Sequence, residues 1–328
     1  MGIIGRHSFE LCSKPRIISS ASYVGDKEGK GPLRECFDKI CRDDTLGLDS
    51  WEQAESRMFE SAVRVALAKI KRQSDDLSCL LGGDLLNQII SSGFAAREIR
   101  APFIGLYGAC STISEGLMLG GMLVDGGFAE LAACAASSHF SAAERQFRYP
   151  LEMGVQAVPS SQRTVTGAGS IIIQAAGEFR PGAGNVFEHV ALTGGTIGSV
   201  EDFGITDANN MGAAMAPAAF KTIKAHLSDY SRRVEDYDRI ITGDLGIFGS
   251  DMLYELLRGE GIEIADRHED CGKLMFSPEQ NVNCGASGCG CAATVMSSWF
   301  LPKIESGEIR RVLFLATGAL MSPVSSLQ

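Results

Sequence analysis

The sequence lacks any block of five or more basic residues, and its net charge is negative. It holds 30 lysines and arginines against 40 aspartates and glutamates, which gives a formal charge of -10 at pH 7. Its short basic pairs, Arg232–Arg233 and Arg310–Arg311, are typical of a solvated surface. Because a nucleic-acid backbone is bound by basic patches, we expect no nucleic-acid partner.

Long apolar runs are also missing. No stretch approaches the ~18 to 20 apolar residues of a membrane-spanning helix, and the opening MGIIGRHSFE lacks the apolar core of a secretory signal. We therefore expect a protein that is soluble or peripheral to a membrane. A reducing compartment would keep its ten cysteines as thiols.

The cysteines and histidines do not follow the spacing of a known metal site. Cys284, Cys289 and Cys291 crowd into NCGASGCGCAA near Cys271, but C-x4-C-x-C differs from the C-x2-C pairs that bind zinc. No D-x-D-x-D-G calcium loop is present either. We predict no resident metal and no cofactor, and we interpret these cysteines as small packing residues.

The chain contains an internal repeat. DDLSCLLGGDLLNQ, residues 75–88, and EDYDRIITGDLGIF, residues 235–248, both pass from acidic residues through apolar ones into Gly-Asp-Leu. A helix candidate with an apolar stripe precedes each string. Residues 124–138 and 304–318 then match as a helix end, a glycine and a strand. The pattern predicts two similar α/β halves, and the alternative is that short apolar strands resemble one another by chance.

Cys110 lies between a predicted strand and a predicted helix. It stands in FIGLYGACSTISEG, residues 103–116, after an apolar run and before a Gly/Ser-rich segment. A thiol at a helix N-terminus can have a lowered pKa and can receive backbone N–H groups, so Cys110 is a candidate nucleophile. The alternative is a small buried thiol.

Duplicated halves with a cysteine at a strand-to-helix turn resemble the thiolase fold, the family of thiolases and β-ketoacyl synthases. GACST is similar to the motif around that family's nucleophile, and TGAGSIII, residues 166–173, is similar to its later glycine-rich strand. The resemblance covers nearly the whole chain. It implies a five-layered α-β-α-β-α arrangement of two halves, residues 1–180 and 181–328, packed as one unit.

Longer strings are more specific than the fold. GGDLLNQ, YGACSTI, SSHFSAAERQFRYP and ITDANNMGAAMAPAA resemble the stage V sporulation protein AD family, thiolase-fold proteins of endospore-forming bacteria. The resemblance implies binding of dipicolinate (pyridine-2,6-dicarboxylate), free or as its calcium chelate, for uptake into the developing spore. It also implies membrane subunits of the same transport system as partners and a location at the inner spore membrane. The family pattern has further strands after the position of GALMSP, residues 318–323.

An acyl-transfer reaction at Cys110 would need a base or a polarising group, which the matched positions lack. Where β-ketoacyl synthases have a histidine after the second-half strand, this sequence has residues 242–245, Thr-Gly-Asp-Leu. The next catalytic turn falls in GASGCGC, residues 285–291, without histidine or asparagine. Asp244 beside a thiolate would disfavour the charged nucleophile. We therefore expect a non-enzymatic protein with Cys110 on the floor of a binding pocket. An acyltransferase that uses Cys110 and a structural scaffold for sporulation membrane proteins are the alternatives.

Two of the five histidines bear on the pocket. His139 stands beside a predicted strand end in AASSHFSAAERQ and is a candidate ligand contact, although a lone histidine is more often a structural hydrogen bonder. His226 is expected on the polar face of a helix, with no functional role.

Arg145 and Arg148 are the predicted carboxylate ligands. They are three residues apart, with the aromatic residues Phe147 and Tyr149 interleaved. A planar aromatic diacid needs forked donors for its carboxylates and a stacking partner for its ring, which arginine and aromatic residues supply. The alternative is a solvated helix in which Glu144 pairs with Arg148.

Further ligand candidates lie at the ends of the repeated elements. They are Asp84, Asn87, Asp244 and Lys221. The two aspartates occupy equivalent turns, so a shared structural role as acceptors of turn N–H groups is expected as well. The apolar FIGLYGAC segment is suited to pair two copies of the chain, which predicts a homodimer.

Overall fold

The computed structural model describes residues 2–147, 158–182, 184–207 and 209–319. The strands are β1 (Gly2–Ile4), β2 (Ser8–Glu10), β3 (Arg16–Val24), β4 (Lys39–Ile40), β5 (Cys79–Gly83), β6 (Phe103–Gly105), β7 (Leu131–Ser138), β8 (Arg163–Thr164), β9 (Gly167–Gln174), β10 (Gly194–Thr196), β11 (Arg239–Thr242), β12 (His268–Asp270), β13 (Ala286–Ser287) and β14 (Val312–Leu315). The α-helices are α1 (Trp51–Lys69), α2 (Ile90–Ile99), α3 (Thr112–Asp125), α4 (Phe140–Phe147), α5 (Met211–Asp229), α6 (Gly246–Arg258), α7 (Cys271–Met275), α8 (Cys289–Val295) and α9 (Leu301–Glu305).

The repeated strings form equivalent elements. Helix α1 precedes β5 in the first repeat, and α5 precedes β11 in the second. Each helix begins at a polar cap, because the Ser50 side chain accepts a hydrogen bond from the backbone N–H of Gln53 and the Asn210 side chain accepts one from Ala213. The helix and strand expectations are thus confirmed for both copies.

The first repeat builds a six-stranded sheet in the order β4-β3-β9-β7-β5-β6. All of its strands are parallel except β9, which runs antiparallel to β3 and β7. Strand β7 is buried on both faces, and its successive side chains point to opposite sides of the sheet. Leu131, Ala133 and Ala135 pack in the cluster formed with α1 and α2. Ala132 and Cys134 pack in the cluster formed with α3 and α8. Because alternate side chains of a strand lie on opposite faces, this one sheet packs against a helical layer on each side.

The second repeat builds a parallel sheet in the order β12-β11-β14. Ile240 of β11 packs in the cluster that contains α5 and α6, and its neighbour Ile241 packs in the central cluster with α3 and α8. The layers are thus α1 and α2, the first sheet, α3 and α8, the second sheet, and α5 and α6. This is the five-layered arrangement that the resemblance implied.

Two small sheets join distant parts of the chain. Strand β2 pairs with β1 and with β10, and β8 pairs in parallel with β13. The sheet β1-β2-β10 thus draws strands from both sides of residue 180. The division into residues 1–180 and 181–328 stays a prediction.

The expectation for His226 is wrong. Its side chain is buried, with Nδ1 2.7 Å from the Thr196 hydroxyl and Nε2 2.6 Å from the Tyr237 hydroxyl. Burial lowers the pKa of the imidazole to about 4. The face of α5 that reads as polar in the sequence is covered by β10 and by the segment before β11, which supply polar partners for the ring.

Candidate functional site

The candidate site lies at one edge of the first sheet. Strands β3, β5 and β7 are mutually parallel, so the residues that follow them lie at the same edge. Asp84 follows β5, and His139 follows β7. Cys110 belongs to the turn that connects β6 to α3. Ligands of α/β proteins commonly bind at this carboxyl edge, and the predicted candidates Asp84, Cys110 and His139 all belong to it.

Cys110 is buried in a single tight turn at the start of α3. The turn spans Ala109–Ser111, and Ala109 adopts a left-handed backbone conformation with φ of +48°. The Cys110 thiol lies 3.9 Å from the hydroxyl of Ser287, which stands 177 positions later in the chain. The neighbouring thiol of Cys289 donates to the carbonyl of Ala109 at 2.8 Å. The turns of the two repeats therefore meet face to face across the central layer.

Asp244 lies beside Cys110, and the buried group of Cys110, Asp244, Ser287 and Gly288 is called the chamber below. Its Oδ2 accepts hydrogen bonds from the Ser287 hydroxyl at 3.0 Å and from the Gly288 backbone N–H at 2.8 Å. Gly288 adopts φ of +103°, which a residue with a side chain would adopt only under strain. The other carboxyl oxygen, Oδ1, is buried and accepts no well-aligned hydrogen bond from the described residues, although the Cys110 thiol interacts with the Asp244 carboxyl group as a weak donor. An unpaired buried acceptor is costly, so this oxygen indicates a position for a ligand, a water molecule or a proton.

Burial favours the protonated forms of both acidic groups of this chamber. It raises the pKa of Asp244 to about 7, and it raises the pKa of the Cys110 thiol well above the ordinary value of 9.0. The charge of Asp244 and the nearby Cys289 raise the thiol's pKa further. Cys110 is therefore a neutral thiol, and the chamber lacks the cationic or basic neighbour that would make it a thiolate.

The two equivalent aspartates differ in their roles. Asp84 accepts hydrogen bonds from the backbone N–H of Leu86 at 2.8 Å and from the backbone N–H and hydroxyl of Ser92, both at 2.7 Å, as expected for a turn residue. In the second repeat, a different residue, Asp270, accepts the N–H groups of Leu245 and Gly246 that follow Asp244. Both aspartates thus accept backbone N–H groups of turns, as predicted, but Asp244 accepts the N–H of Gly288 in a distant turn. Asp270 takes the N–H groups of Asp244's own turn and leaves Asp244 facing Cys110.

Asp270 is itself held by a chain of oriented hydrogen bonds. The Thr242 hydroxyl donates to Asp270 at 2.7 Å and lies 2.8 Å from Nε2 of His268, whose Nδ1 lies 2.8 Å from the Tyr254 hydroxyl. Because Thr242 donates its only proton to the carboxyl group, its oxygen accepts from Nε2–H of His268, and Nδ1 accepts from Tyr254. This chain supports the turn that carries Asp244.

His139 is fully buried beside the same sheet edge. Its Nε2 lies 2.9 Å from the backbone carbonyl of Asp44, which can only accept, so Nε2 carries the proton. Burial lowers the pKa of the imidazole, which is therefore neutral. Its Nδ1 is an acceptor without a partner among the described residues.

The structure does not bring the other candidates to Cys110. Arg145 pairs with Glu52 and stacks over Trp51, with its guanidinium carbon 5.3 Å from the ring centre. Lys221 is exposed and pairs with Glu201. The backbone N–H of Asn87 approaches Gln146 Oε1 at 3.4 Å, and Asn87 is exposed. Arg148 lies outside the described residues, so the predicted arginine pair has only one described member, and that member is already neutralised by Glu52.

Sequence reasoning missed two residues that the structure places in or beside the site. Ser287, within the GASGCGC turn, lies near the Cys110 thiol and donates a hydrogen bond to Asp244. The signal for Ser287 was the alignment of this turn with GACST. Arg163 lies in β8 beside β13, one residue from the pair Thr164 and Ser287. No motif or spacing in the sequence distinguishes Arg163 from the other arginines.

A surface depression of about 410 Å³ lies at the start of α6, close in sequence to Asp244. Its lining includes Pro159, Asn210, Ile247, Phe248, Asn283 and Cys284, but neither Cys110 nor Asp244. The described part of the chain holds no group of three or more His, Cys, Asp and Glu side chains arranged for a metal ion. Nor does any helix in the described ranges have the length and apolar character needed to cross a membrane.

Comparisons with known proteins give the family and the fold. The family model of stage V sporulation protein AD (SpoVAD) matches residues 5–328. The stage V sporulation protein AD of Bacillus subtilis (strain 168) is 44% identical over 323 residues, which cover 98% of this chain and 93% of that protein.

Solved enzymes share the architecture at low identity. OleA of Xanthomonas campestris with bound cerulenin superposes with a TM-score of 0.62 at 14% identity, covering 93% of each chain. The 3-oxoacyl-[acyl-carrier-protein] synthase III of Aquifex aeolicus VF5 superposes with a TM-score of 0.58 at 12% identity, covering 93% of this chain and 96% of that one. At these identities the likeness shows the fold alone. With the expected fold and the expected resemblance both confirmed, the chain belongs to the stage V sporulation protein AD family, a family of sporulation proteins with the thiolase fold.

Proposed function

We propose that this protein binds dipicolinate, free or as its calcium chelate, without catalysing a reaction, and that this binding serves uptake into the developing spore. The dipicolinate assignment is supported by the motifs GGDLLNQ, YGACSTI and SSHFSAAERQFRYP, which resemble those of a family associated with that ligand. The observation that carries the proposal of binding without catalysis is the pairing of Cys110 with a buried carboxyl group that has one oxygen unpaired.

The chamber is poorly suited to acyl transfer. A nucleophilic cysteine needs a thiolate, which a nearby base or cation stabilises. Here the groups beside the thiol are Asp244 and Ser287, and burial raises the thiol's pKa well above 9. Ionised Asp244 would repel a thiolate, and neutral Asp244 cannot accept its proton as a strong base.

The same groups are suited to holding an acid. The Oδ2 atom of Asp244 is already used by Ser287 and Gly288, so the proton of the neutral acid belongs on Oδ1, the unpaired oxygen. An O–H group at that position can donate to a ligand carboxylate. Calcium would reduce the negative charge of the dianion and so would favour its entry into a chamber lined by carboxyl groups.

Calorimetric titration with dipicolinate, with and without calcium, tests the proposal. The variants are Asp244→Ala, Asp244→Asn and Cys110→Ala, with Lys221→Ala as a control for an exposed residue distant from the chamber. We expect Asp244→Ala to weaken binding by about tenfold or more. Asp244→Asn retains a neutral N–H donor at the position of Oδ1, so it should bind nearly as the natural protein does. Absence of binding to the natural protein, or tight binding that ignores every variant, contradicts the proposal.

Acyl transfer is the second candidate function, because the fold is shared with a 3-oxoacyl-[acyl-carrier-protein] synthase and Cys110 begins helix α3. Mass spectrometry after incubation with acyl thioesters distinguishes the two. A covalent adduct on Cys110 that is lost in Cys110→Ala would favour the enzyme. A scaffold of sporulation membrane proteins would show neither an adduct nor dipicolinate binding.

Homodimerisation through β6 is the second part of the proposal. Strand β6 is the edge of the six-stranded sheet, and Ile104 in β6, Tyr107 after it and Phe94 on α2 are exposed by 41%, 67% and 49%. An apolar edge strand with unpaired backbone groups can pair with the same strand of a second copy. We also propose that the protein acts beside membrane subunits of its transport system at the inner spore membrane. A monomer at micromolar concentration in analytical ultracentrifugation would contradict the dimer.

A further inference from the structure

Arg163 is a partly buried cation for which the described residues supply no hydrogen-bond partner. It lies in β8 and its guanidinium carbon is 3.7 Å from the centre of the Phe140 ring, so the group is stacked on the aromatic face. Its Nε is buried and unpaired, and no side-chain hydrogen bond or ion pair of Arg163 exists among the described residues. Burial lowers the pKa of Arg163, and a guanidinium remains charged in proteins. Nearby carboxyl groups balance part of its charge, but a buried N–H donor such as this Nε calls for an acceptor to satisfy it.

The acidic groups around Arg163 are engaged elsewhere. Oε1 of Glu28 accepts from the backbone N–H of Thr166 at 3.2 Å, and Oε1 of Glu144 accepts from the N–H and hydroxyl of Thr164. Asp44 accepts from the backbone N–H of Asp26 at 3.3 Å. These three carboxyl groups act on Arg163 through their charge, but none lies within ion-pair distance in the described structure.

Lys27 and His139 complete the surroundings. The charge of Arg163 lowers the pKa of both groups, after the larger effect of their own burial. The His139 ring is fully buried, and its Nδ1 is an unpaired acceptor because Nε2–H donates to the Asp44 carbonyl. Arg163 is stacked on Phe140, the residue that follows His139, so one region holds an unpaired buried donor, Arg163 Nε, and an unpaired buried acceptor, His139 Nδ1.

We propose that Arg163, stacked on Phe140, binds the carboxylate of a small organic acid side-on. The buried Nε and one terminal nitrogen of a guanidinium form two parallel hydrogen bonds with a carboxylate, and stacking on the ring restricts the group to one plane. A hydroxyl or water molecule carried with the ligand donates to Nδ1 of His139, the unpaired acceptor. This site does not depend on the proposed role of Cys110 and Asp244, so either can stand if the other fails.

Glu28 is the internal competitor for Arg163. Its carboxyl group is fully buried, and burial raises its pKa to about 7. The groups that act on it are Arg163, Asp44 and the backbone N–H of Thr166. Below pH 7 the Glu28 carboxyl group is mostly neutral and competes only weakly with a ligand carboxylate for the Arg163 guanidinium. Above pH 7 Glu28 is mostly an anion and competes more strongly. We therefore expect tighter ligand binding at pH 6 than at pH 8.

The test follows the Nε–H resonance of Arg163 by NMR in the full chain labelled with ¹⁵N-arginine. The resonance is assigned by its loss in Arg163→Lys, and dipicolinate, benzene-1,3-dicarboxylate and benzoate are titrated at pH 6 and pH 8. Arg145→Lys is the matched control, since Arg145 is also stacked on an aromatic ring but is already paired with Glu52. Thermal melting followed by circular dichroism shows whether each variant folds.

We expect a saturable shift of the Arg163 resonance with a carboxylate. Because this resonance is absent from Arg163→Lys, calorimetric titration in the Asp244→Ala background measures binding in the variants, and we expect it to be about tenfold or more weaker in folded Arg163→Lys but unchanged in Arg145→Lys. Three results overturn the inference: no shift with any of the acids up to millimolar concentration, a shift that follows only the titration of Glu28 near pH 7, or undiminished calorimetric binding in Arg163→Lys in that background. The last result would leave dipicolinate binding at Cys110 and Asp244 intact. Loss of the Cys110 site in Asp244→Ala would not move the Arg163 resonance.

Discussion

Replacing Asp244 with Asn tests the protonation state of the buried chamber directly. Asn keeps an oxygen that can accept from the Ser287 hydroxyl and the Gly288 N–H, the two bonds that Oδ2 of Asp244 makes. Its amide donor occupies the place of the proton on Oδ1. The variant therefore preserves the shape and the hydrogen bonds of the neutral acid and removes only its titration.

The magnitude follows from the pKa of Asp244, which burial raises from 3.8 to about 7. Between these two values the folded chain keeps a proton that the unfolded chain has released, so the free energy of unfolding falls as pH rises through this window. Each unit is worth about 1.4 kcal/mol, so the natural protein should lose about 2 kcal/mol between pH 5 and pH 7 through this residue. The contribution levels off about one pH unit above 7, where the folded carboxyl group is ionised as well.

Urea unfolding of both proteins at pH 5, 6, 7 and 8 measures the difference. We expect Asp244→Asn to gain about 2 kcal/mol relative to the natural protein between pH 5 and pH 7, and only about 0.4 kcal/mol more by pH 8. Glu28 has a raised pKa of about 7 as well, but it titrates in both proteins, so its effect cancels in the comparison. A difference that is the same at pH 5 and pH 8 would refute the assignment of a neutral Asp244.

Three further predictions concern the thiol, the supporting turn and the sheet edge. Iodoacetamide should label exposed Cys12 at pH 8 much faster than buried Cys110, whose raised pKa keeps it protonated. Faster labelling of Cys110, read by peptide mass spectrometry, would contradict the neutral thiol. Asp270→Ala leaves four hydrogen-bond donors without an acceptor, so it should lower the free energy of unfolding in urea by about 3 kcal/mol. A loss below about 1 kcal/mol would contradict the role of Asp270 as the acceptor that holds this turn. Ile104→Lys on the exposed edge should convert a dimer to a monomer in ultracentrifugation without changing the melting temperature, and a dimer unaffected by it must use another surface.

The fold was predictable because its signals are local and repeated. Alternating or continuous apolar residues predict strands such as β5 and β7, and each helix of the repeat has an apolar stripe that turns toward a sheet. The GACST turn places Cys110 at the start of a helix in any arrangement of the remaining chain. These features depend on residues within about one element of each other, so a single sequence carries them.

The candidate site was only partly predictable, as Arg145 illustrates. The spacing of Arg145 and Arg148 suited a dicarboxylate, but tertiary packing brings Glu52, 93 positions earlier, to pair with Arg145. The same kind of error placed His226 on a polar face, because no local pattern shows which neighbour will cover a helix. Ion pairs and hydrogen bonds between distant segments depend on how the layers pack against each other. The sequence shows which faces of the elements are apolar, but it does not show which polar side chains the packing brings together.

The sequence by itself determined the repeated α/β architecture, the family resemblance and the position of Cys110 at a strand-to-helix turn. Only the tertiary structure decided what faces that thiol: Ser287 is 177 positions away, and Asp244 is turned toward the chamber because Asp270 takes its place in the supporting turn. It also decided that Arg163, rather than Arg145, has a buried Nε for which the described residues supply no acceptor. The physical reason is that burial and long-range contacts set the charge of each group, and both exist only after the two sheets close around α3 and α8.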